Sequence, residues 1–319
     1  MRKLFFIFSI FIFLSSCNTK TESTVDVSGI DIKFSIDRFD IDFYTTKVEL
    51  LNETKIKYPL FFPFGTPDSI WVQKINDKYE QELFSEAQKV YNDIGFLEEE
   101  LQQLFKHIKY YNPTFTPPKV VTLLSNLDYD NRVLYTKDYL LISLDLYLGN
   151  KHEYYSDYPS YIKQHLHKDQ IIVDVANEII NAQLPKSKSR RFVDKMIYEG
   201  KKLALLDSYL PNTMEHQKIG YSVEKMTWAV ENEEEVWKYF IENKVLFSSD
   251  TELNKRFLEV SPFSKFYRSE DNLSPGRIGA WVGWKIVKSF TNNNDISLLE
   301  LGMLTEEEIY NKSKYKPKK

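Results

Sequence analysis

The segment Ile171–Leu184 constrains the fold most strongly, because it is long enough for a helix and apolar on almost every side. A helix of that kind has to be buried. Polar side chains nevertheless stand in its middle, and a buried polar group is costly unless it is paired or hydrogen-bonded. The sequence therefore predicts a core helix with four polar residues that need partners: Asp174, Asn177, Glu178 and Asn181.

Part of this helix has the spacing of a zinc-peptidase motif. In H-E-x-x-H, two histidines one helical turn apart hold Zn²⁺ and the glutamate activates water. Here Asn177, Glu178 and Asn181 take those positions, and Glu199 follows eighteen residues after Asn181, within Met196–Asp207. In zinc peptidases with a carboxylate third ligand, a glutamate on the next helix sits at about this distance. The pattern predicts a zincin-like, metallopeptidase-like core that lacks both histidines.

The motif has a simpler alternative, an ordinary core helix with a few polar residues, because N-E-x-x-N also occurs by chance. On either interpretation Asn is a poor zinc ligand, since it offers a neutral amide oxygen where Zn²⁺ prefers imidazole or thiolate. We therefore expect a degenerate motif at Asn177, Glu178, Asn181 and Glu199, with no catalysis, no metal and no cofactor.

Composition limits the classes of function. The chain has 319 residues, of which 42% are hydrophobic and 15% aromatic, so it can bury a large core. Its formal net charge is −4, with both signs interspersed, which argues against a nucleic-acid partner. The single cysteine, Cys17, excludes an intramolecular disulfide and a cysteine-based metal cage.

The N-terminus resembles a bacterial lipoprotein signal. Arg2 and Lys3 precede the apolar run Leu4–Leu14, which is too short to span a bilayer comfortably, and Ser15-Ser16-Cys17 follows. We predict a signal peptide over residues 1–16 and acylation, with palmitate among the chains, on Cys17. An uncleaved anchor is the alternative. Because cleavage also removes two cations, lipid rather than a basic patch would hold the protein to a membrane.

The rest of the chain predicts an α+β fold that is mostly helical. Residues 17–29 are a polar tether, residues 30–311 a single zincin-like globular domain, and residues 312–319 a basic, unstructured tail. Alternation predicts a strand over Ile30–Ile36. Short apolar runs predict three more strands and a small mixed β-sheet packed on helices: Lys119–Leu124, Arg132–Tyr135 and Tyr139–Leu144.

Helical periodicity accounts for most other segments. In the last long helix, Gly279 and Gly283 leave a bare stripe that lets another helix approach closely. The predicted helices are Asp68–Val90, Leu97–Tyr111, Tyr161–His167, Ser222–Val230, Glu233–Leu246, Thr251–Leu258 and Arg277–Phe290.

A tyrosine-rich loop, Lys151–Pro159, precedes the short helix Tyr161–His167. We predict that His152, Tyr154 and Tyr155 line a cleft. The alternative is aromatic packing beside an opening in the core.

Five long segments have an unusual sequence: Asn112–Asp145, Ile171–Ile180, Asp194–Asp207, Asn254–Tyr267 and Ser274–Phe290. Together they resemble the gliding-motility lipoprotein B family of gliding bacteria. The resemblance implies a lipoprotein of the cell envelope, attached to a membrane with its body outside the cytoplasm. It also implies a requirement in gliding, links to the motility and secretion machinery, and no established enzyme activity.

Three functions compete. The favoured one is a non-catalytic lipoprotein that binds other envelope proteins, since peptidase clefts hold extended chains by strand addition. The second is a purely structural lipoprotein. The third is a metal-dependent hydrolase with Glu178 or Glu199 as base and ligands recruited from elsewhere, for example His152 or His165.

Overall fold

A computed structural model describes residues 25–318 of the chain. The predicted signal peptide and the predicted lipid site Cys17 lie outside these residues. Within the described range, no helix has both the length and the apolar character needed to cross a bilayer.

A four-stranded mixed sheet forms the centre of the fold. The strand order is β1-β2-β4-β3; β1–β2 and β2–β4 are parallel, and β3 runs antiparallel to β4 at the edge. Val121 of β2 lies opposite both Asp37 and Leu141. The strands are β1 (Ile36–Arg38), β2 (Lys119–Leu123), β3 (Val133–Tyr135) and β4 (Tyr139–Ser143).

Three of the four predicted strands are confirmed to within a residue. The first is wrong in position: residues 30–34 form no strand, and the sheet begins only at Ile36. Their apolar side chains pack on the core directly, with the rings of Phe34 and Phe105 edge to face at 5.1 Å. The alternating apolar residues of this segment therefore pack on the core although its backbone pairs with no strand.

Five α-helices lie in the described part of the N-terminal half. The single helix predicted over Asp68–Val90 is broken at Asp77, whose extended backbone and carboxylate cap the next helix by accepting from the N–H groups of Tyr79 and Glu80. An aspartate at this position stabilises a new helix start better than a continued helix. The helices are α1 (Phe39–Tyr44), α2 (Leu51–Lys57), α3 (Asp68–Asn76), α4 (Lys78–Tyr91) and α5 (Gly95–Tyr111).

The C-terminal half is helical, as predicted. The short helix is shorter than expected, because Leu148 and His167 pair as an isolated bridge, so His165 and His167 follow the helix. The elements are α6 (Ser160–Lys163), α7 (Ile171–Gln183), α8 (Phe192–Tyr209), α9 (Glu215–Ile219), α10 (Val223–Glu231), α11 (Glu233–Glu242), α12 (Glu252–Phe257), α13 (Ile278–Asn293), α14 (Leu298–Met303) and α15 (Glu306–Ser313).

The predicted basic tail starts inside a helix. Lys312 belongs to α15, and beyond it Tyr315 packs edge to face on Trp237 at 5.1 Å and donates a hydrogen bond to Glu233. This contact fastens residues 314–318, which have no regular secondary structure, to α11.

The sheet separates two apolar layers. On one face Val120, Leu140 and Ile142 pack into the main core, which includes α5, α7, α8 and α13. On the other face Val121 packs into a smaller, largely aromatic cluster with Phe43 of α1. Burying one large aliphatic or aromatic side chain contributes about 1.5–3 kcal/mol, so the larger layer supplies most of the apolar stabilisation.

Helices α8 and α13 touch backbone to backbone. A Cβ atom on Gly283 would lie 1.8 Å from the carbonyl oxygen of Met196, and one on Gly200 would lie 2.3 Å from the carbonyl carbon of Gly283. The predicted close approach is confirmed at Gly283. Gly279 instead allows a close approach to α12, because a Cβ atom there would lie 2.9 Å from the carbonyl oxygen of Phe257.

Candidate functional site

An open cleft lies between α7, α8, the start of β3 and the N-terminal end of α13. It has a large lobe of about 830 Å³ and a small lobe of about 300 Å³. The lobes are continuous because they share six lining residues: Arg132, Asp174, Asn177, Lys218, Val260 and Arg277.

The four residues of the degenerate motif come together in the large lobe. Helix α7 presents Asn177, Glu178 and Asn181, and the following helix α8 presents Glu199. Asn177, Glu178 and Glu199 are half-buried, whereas Asn181 is exposed. The Asn181 amide donates to Glu178 Oε1 at 3.3 Å. All four side chains that the motif spacing singled out therefore line one cavity.

Glu199 is already neutralised by the protein. Lys202 Nζ donates to its Oε1 at 2.8 Å, and Arg277 Nη2 donates to its Oε2 at 3.4 Å. A carboxylate that serves as a metal ligand needs its oxygens for the cation. With two amides at the other positions, this donor set does not fit Zn²⁺.

Asp174 is buried deepest among the polar residues of α7, and it is fully partnered. Its oxygens accept from Arg132 Nε at 2.6 Å, Tyr147 Oη at 2.9 Å and Gln170 Nε2 at 3.1 Å. Burial opposes the charge on Arg132, but Asp174 outweighs it and raises the pKa of Arg132. The pair fixes the start of β3 to α7.

Strand β3 offers an unpaired edge beside the cleft. The carbonyl of Arg132 accepts from Ser143 N at 2.9 Å, and Thr136 N donates to the Tyr139 carbonyl at 2.8 Å. Because antiparallel pairs alternate, the N–H and C=O groups of Val133 and Tyr135 point away from β4. Val133 lines the large lobe, and no other described strand pairs with this edge.

The tyrosine-rich loop is placed differently from the prediction. Neither lobe is lined by His152, Tyr154 or Tyr155. The His152 ring lies 3.5 Å from the Glu86 carboxylate of α4, and its Nδ1 accepts from Tyr154 N. Tyr155 is buried, and its hydroxyl joins the backbone of residues 145 and 148. The loop's aromatic side chains therefore serve packing, while the residues after it, Ser160 and Tyr161, line the small lobe.

The two histidines considered as recruited ligands are far from a common site. His165 lines the small lobe, whereas His152 faces α4. Burial lowers the pKa of His165 to about 4, so its ring is neutral at pH 7. Over residues 25–318, no three or more His, Cys, Asp or Glu side chains form a group that could hold a metal ion.

Sequence reasoning missed the cationic side of the cleft. Arg132, Lys218, Lys225 and Arg277 come from four separated segments and meet in the small lobe. The Ser-Pro-Gly turn before Arg277 predicts the start of a helix, but no local pattern predicts that these four cations meet.

Comparison with known proteins decides the family. The model of the family described as gliding motility protein GldB matches residues 20–317. The chain belongs to this family. No curated protein and no solved structure matches the chain.

Membership in the GldB family connects the chain with gliding motility. The family is classed as one of lipoproteins, which supports the lipoprotein prediction and an association with the cell envelope. The match includes α7, α8 and β3, so every wall of the cleft lies within the region that the family shares.

Proposed function

We propose that this GldB family protein is a non-catalytic, lipid-anchored component of the gliding machinery. Its cleft binds an extended segment of another envelope protein by adding that segment to the edge of β3. Cys17 carries the lipid, and the body lies outside the cytoplasm. The observation that carries the binding role is the unpaired edge of β3 beside a cleft of about 830 Å³.

We also infer a zincin-like plan that lacks its metal, and three observations support this inference. The sheet comes first in the chain, its antiparallel edge strand packs on α7, and Glu199 on the next helix faces the motif residues. Asn177 and Asn181 stand at the ligand positions of the motif, and Lys202 and Arg277 pair with Glu199. On our proposal, such a site keeps the peptide-binding geometry and lacks the metal that would activate water.

Tyr135→Pro tests strand addition. Its N–H points away from β4, so proline removes a donor from the free edge without breaking a bond to β4. Tyr135→Val is the matched control, because it removes the same ring and keeps the N–H. A photo-crosslinking residue at the exposed cleft position Asn181 is introduced into both variants and into the parent protein.

We expect the parent and the Tyr135→Val variant to crosslink in cells to the same extended segment of an envelope protein, identified by mass spectrometry. The Tyr135→Pro variant should lose that crosslink and reduce colony spreading. Equal crosslinking in all three would show that the β3 edge is not the binding site.

A further inference from the structure

The small lobe of the cleft has an excess of cationic side chains. Four line it, namely Arg132, Lys218, Lys225 and Arg277, against one carboxylate, Asp174. His165, which also lines it, is neutral at pH 7. A wall of this composition attracts anions.

The four cations are not equally engaged. Arg132 and Lys218 pair closely with carboxylates, at 2.6 Å and 2.9 Å. Lys225 Nζ instead donates to three backbone carbonyls, at 2.7–3.1 Å, and no carboxylate of the described chain lies within 4 Å of it. Arg277 makes two long contacts, both of 3.4 Å, with Glu199 and the Ile219 carbonyl. Lys225 and Arg277 therefore leave positive charge uncompensated in the lobe.

Tyr221 adds a hydrogen-bond donor without an acceptor. The residue lines the small lobe and is only 8% exposed, and its hydroxyl has no hydrogen-bond partner in the structure. Burial raises the pKa of Tyr221, and the nearby charge of Arg277 opposes that rise. The hydroxyl is thus protonated at neutral pH. Because an unsatisfied buried hydroxyl is costly, it calls for an acceptor that binding would supply.

The loop before α13 is built to hold Arg277 in a strained conformation. Arg277 has φ of 57°, in the left-handed region that non-glycine residues rarely adopt. A Cβ atom on the preceding Gly276 would lie 2.1 Å from the Ser261 carbonyl oxygen. Ser264 fixes the loop: its hydroxyl donates to the Pro275 carbonyl at 2.7 Å and accepts from Ile278 N at 3.2 Å. Strain maintained by such contacts is typical of binding sites.

We propose that the small lobe binds a carboxylate of the segment that occupies the large lobe. Tyr221 Oη and the guanidinium of Arg277 donate to its oxygens, and Lys225 supplies further positive potential. The carboxylate belongs either to the C-terminus of the segment or to an acidic side chain near its end. This inference rests on the proposed function, because the two lobes share Asn177 and Arg277 and so receive one continuous ligand.

The test uses the full-length protein in detergent and dye-labelled peptides of alternating valine and threonine. One peptide ends in an amide, a second in a free carboxylate, and a third carries one glutamate before an amide end. Binding is followed by fluorescence anisotropy, with inorganic phosphate added separately as a free-anion competitor. We expect at least one acidic peptide to bind about tenfold more tightly than the neutral peptide. The carboxylate forms a charge-assisted hydrogen bond that the neutral peptide cannot form.

Tyr221→Phe removes only the unpartnered hydroxyl. It should lower the preference for the acidic peptide about fivefold while raising the melting temperature of the free protein, because no buried donor is then left unpaired. Tyr155→Phe is the control: its hydroxyl is fully bonded outside the cleft, so it should lower the melting temperature and leave the preference unchanged. Arg277→Asn, whose side chain tolerates the left-handed region, should also lower the preference.

The outcomes separate the two proposals. If the neutral and acidic peptides bind equally, or if Tyr221→Phe and Arg277→Asn leave the preference intact, the carboxylate site is wrong and strand addition stands. If no peptide binds, the proposed function fails first. If phosphate binds in a Tyr221-dependent way but no peptide carboxylate is preferred, the lobe serves a free ion and the inference is overturned.

Discussion

At Glu199, the charge of one carboxylate is shared between two cations from different elements, Lys202 on its own helix and Arg277 ahead of α13. The arrangement stabilises an anion in a half-buried cleft without a metal. Within residues 25–318, Glu178 is the one motif carboxylate with no cation bound, and its only hydrogen bond there is the one that it accepts from Asn181. Glu178 is therefore the residue at which a catalytic and a structural role differ most clearly.

Glu178→Gln should leave colony spreading and the melting temperature unchanged. The substitution keeps the shape and the bond to Asn181 while removing the carboxylate that a hydrolase would need as a base. Metal analysis of the purified protein should find no stoichiometric zinc or other transition metal. Loss of spreading at an unchanged melting temperature, together with bound metal, would support hydrolysis instead.

His165 predicts a pH dependence of stability. Its folded pKa is about 4 against an ordinary 6.5, because burial disfavours the charged ring. Between these values the unfolded chain binds the extra proton, so the free energy of unfolding increases with pH and is lost as the pH falls from 6.5 towards 4. Between pH 7 and 5 this amounts to about 2 kcal/mol.

Urea unfolding of the parent and of a His165→Gln variant at both pH values measures that contribution. The parent should lose about 2 kcal/mol more than the variant on acidification. An identical loss in both proteins would mean that the ring titrates normally.

At this scale, the sequence predicted which residues of α7 and α8 converge, because helical spacing fixes their faces. It did not predict Tyr221 or Arg277. Their positions depend on how distant segments pack, and no local pattern encodes an unpartnered hydroxyl or a left-handed arginine. The prediction for the tyrosine-rich loop differs from the structure for a related reason. The Tyr155 hydroxyl forms hydrogen bonds with backbone groups inside the core, and composition alone does not distinguish such a buried tyrosine from one that lines a cleft.

Among the elements, the close packing of α8 against α13 depends on glycines, which have no side chain, at the contact. Gly283→Ala would place a methyl group 1.8 Å from a backbone oxygen, which neither helix can relieve by rotating a side chain. We expect a loss of about 3 kcal/mol or more in the free energy of unfolding.

Gly302→Ala in α14 is the matched control. Its new methyl group would meet only the flexible Leu184 side chain at 3.3 Å, and alanine favours a helix over glycine by up to about 1 kcal/mol. Thermal unfolding of the two variants should therefore differ by several degrees. Equal melting temperatures would show that the helices can separate without cost.

At the scale of the elements, apolar periodicity predicted most helices and three strands, because it follows the side of each element that is buried. It failed where local chemistry overrides periodicity. Asp77 ends one helix and caps another within a continuous apolar pattern, and residues 30–34 alternate without pairing to a neighbour. The sheet order could not be predicted from the sequence, because β1 and β2 are parallel partners separated by five helices, α1 to α5.

For the molecule as a whole, the lipid that we propose on Cys17 would decide where the cleft works. Cys17→Ser should move the protein from the membrane fraction to the soluble fraction, because an acyl anchor is proposed and no described helix can span a bilayer. Fractionation followed by immunoblotting measures the shift. Retention of the variant in the membrane fraction would contradict lipidation as the anchor, and a Ser16→Ala variant, which keeps the cysteine, should stay with the membrane.

The bare contact between Gly200 and Gly283 has a consequence for recognition. It joins α8, which bears Glu199, to α13, which follows Arg277, with no side chain between the two backbones, so we expect these two walls of the cleft to keep a fixed spacing. A segment that binds between these helices and β3 would therefore meet a preformed site. Most of the conformational entropy lost on binding would then be lost by the ligand, so the site should favour extended, rigid segments over long, disordered tails.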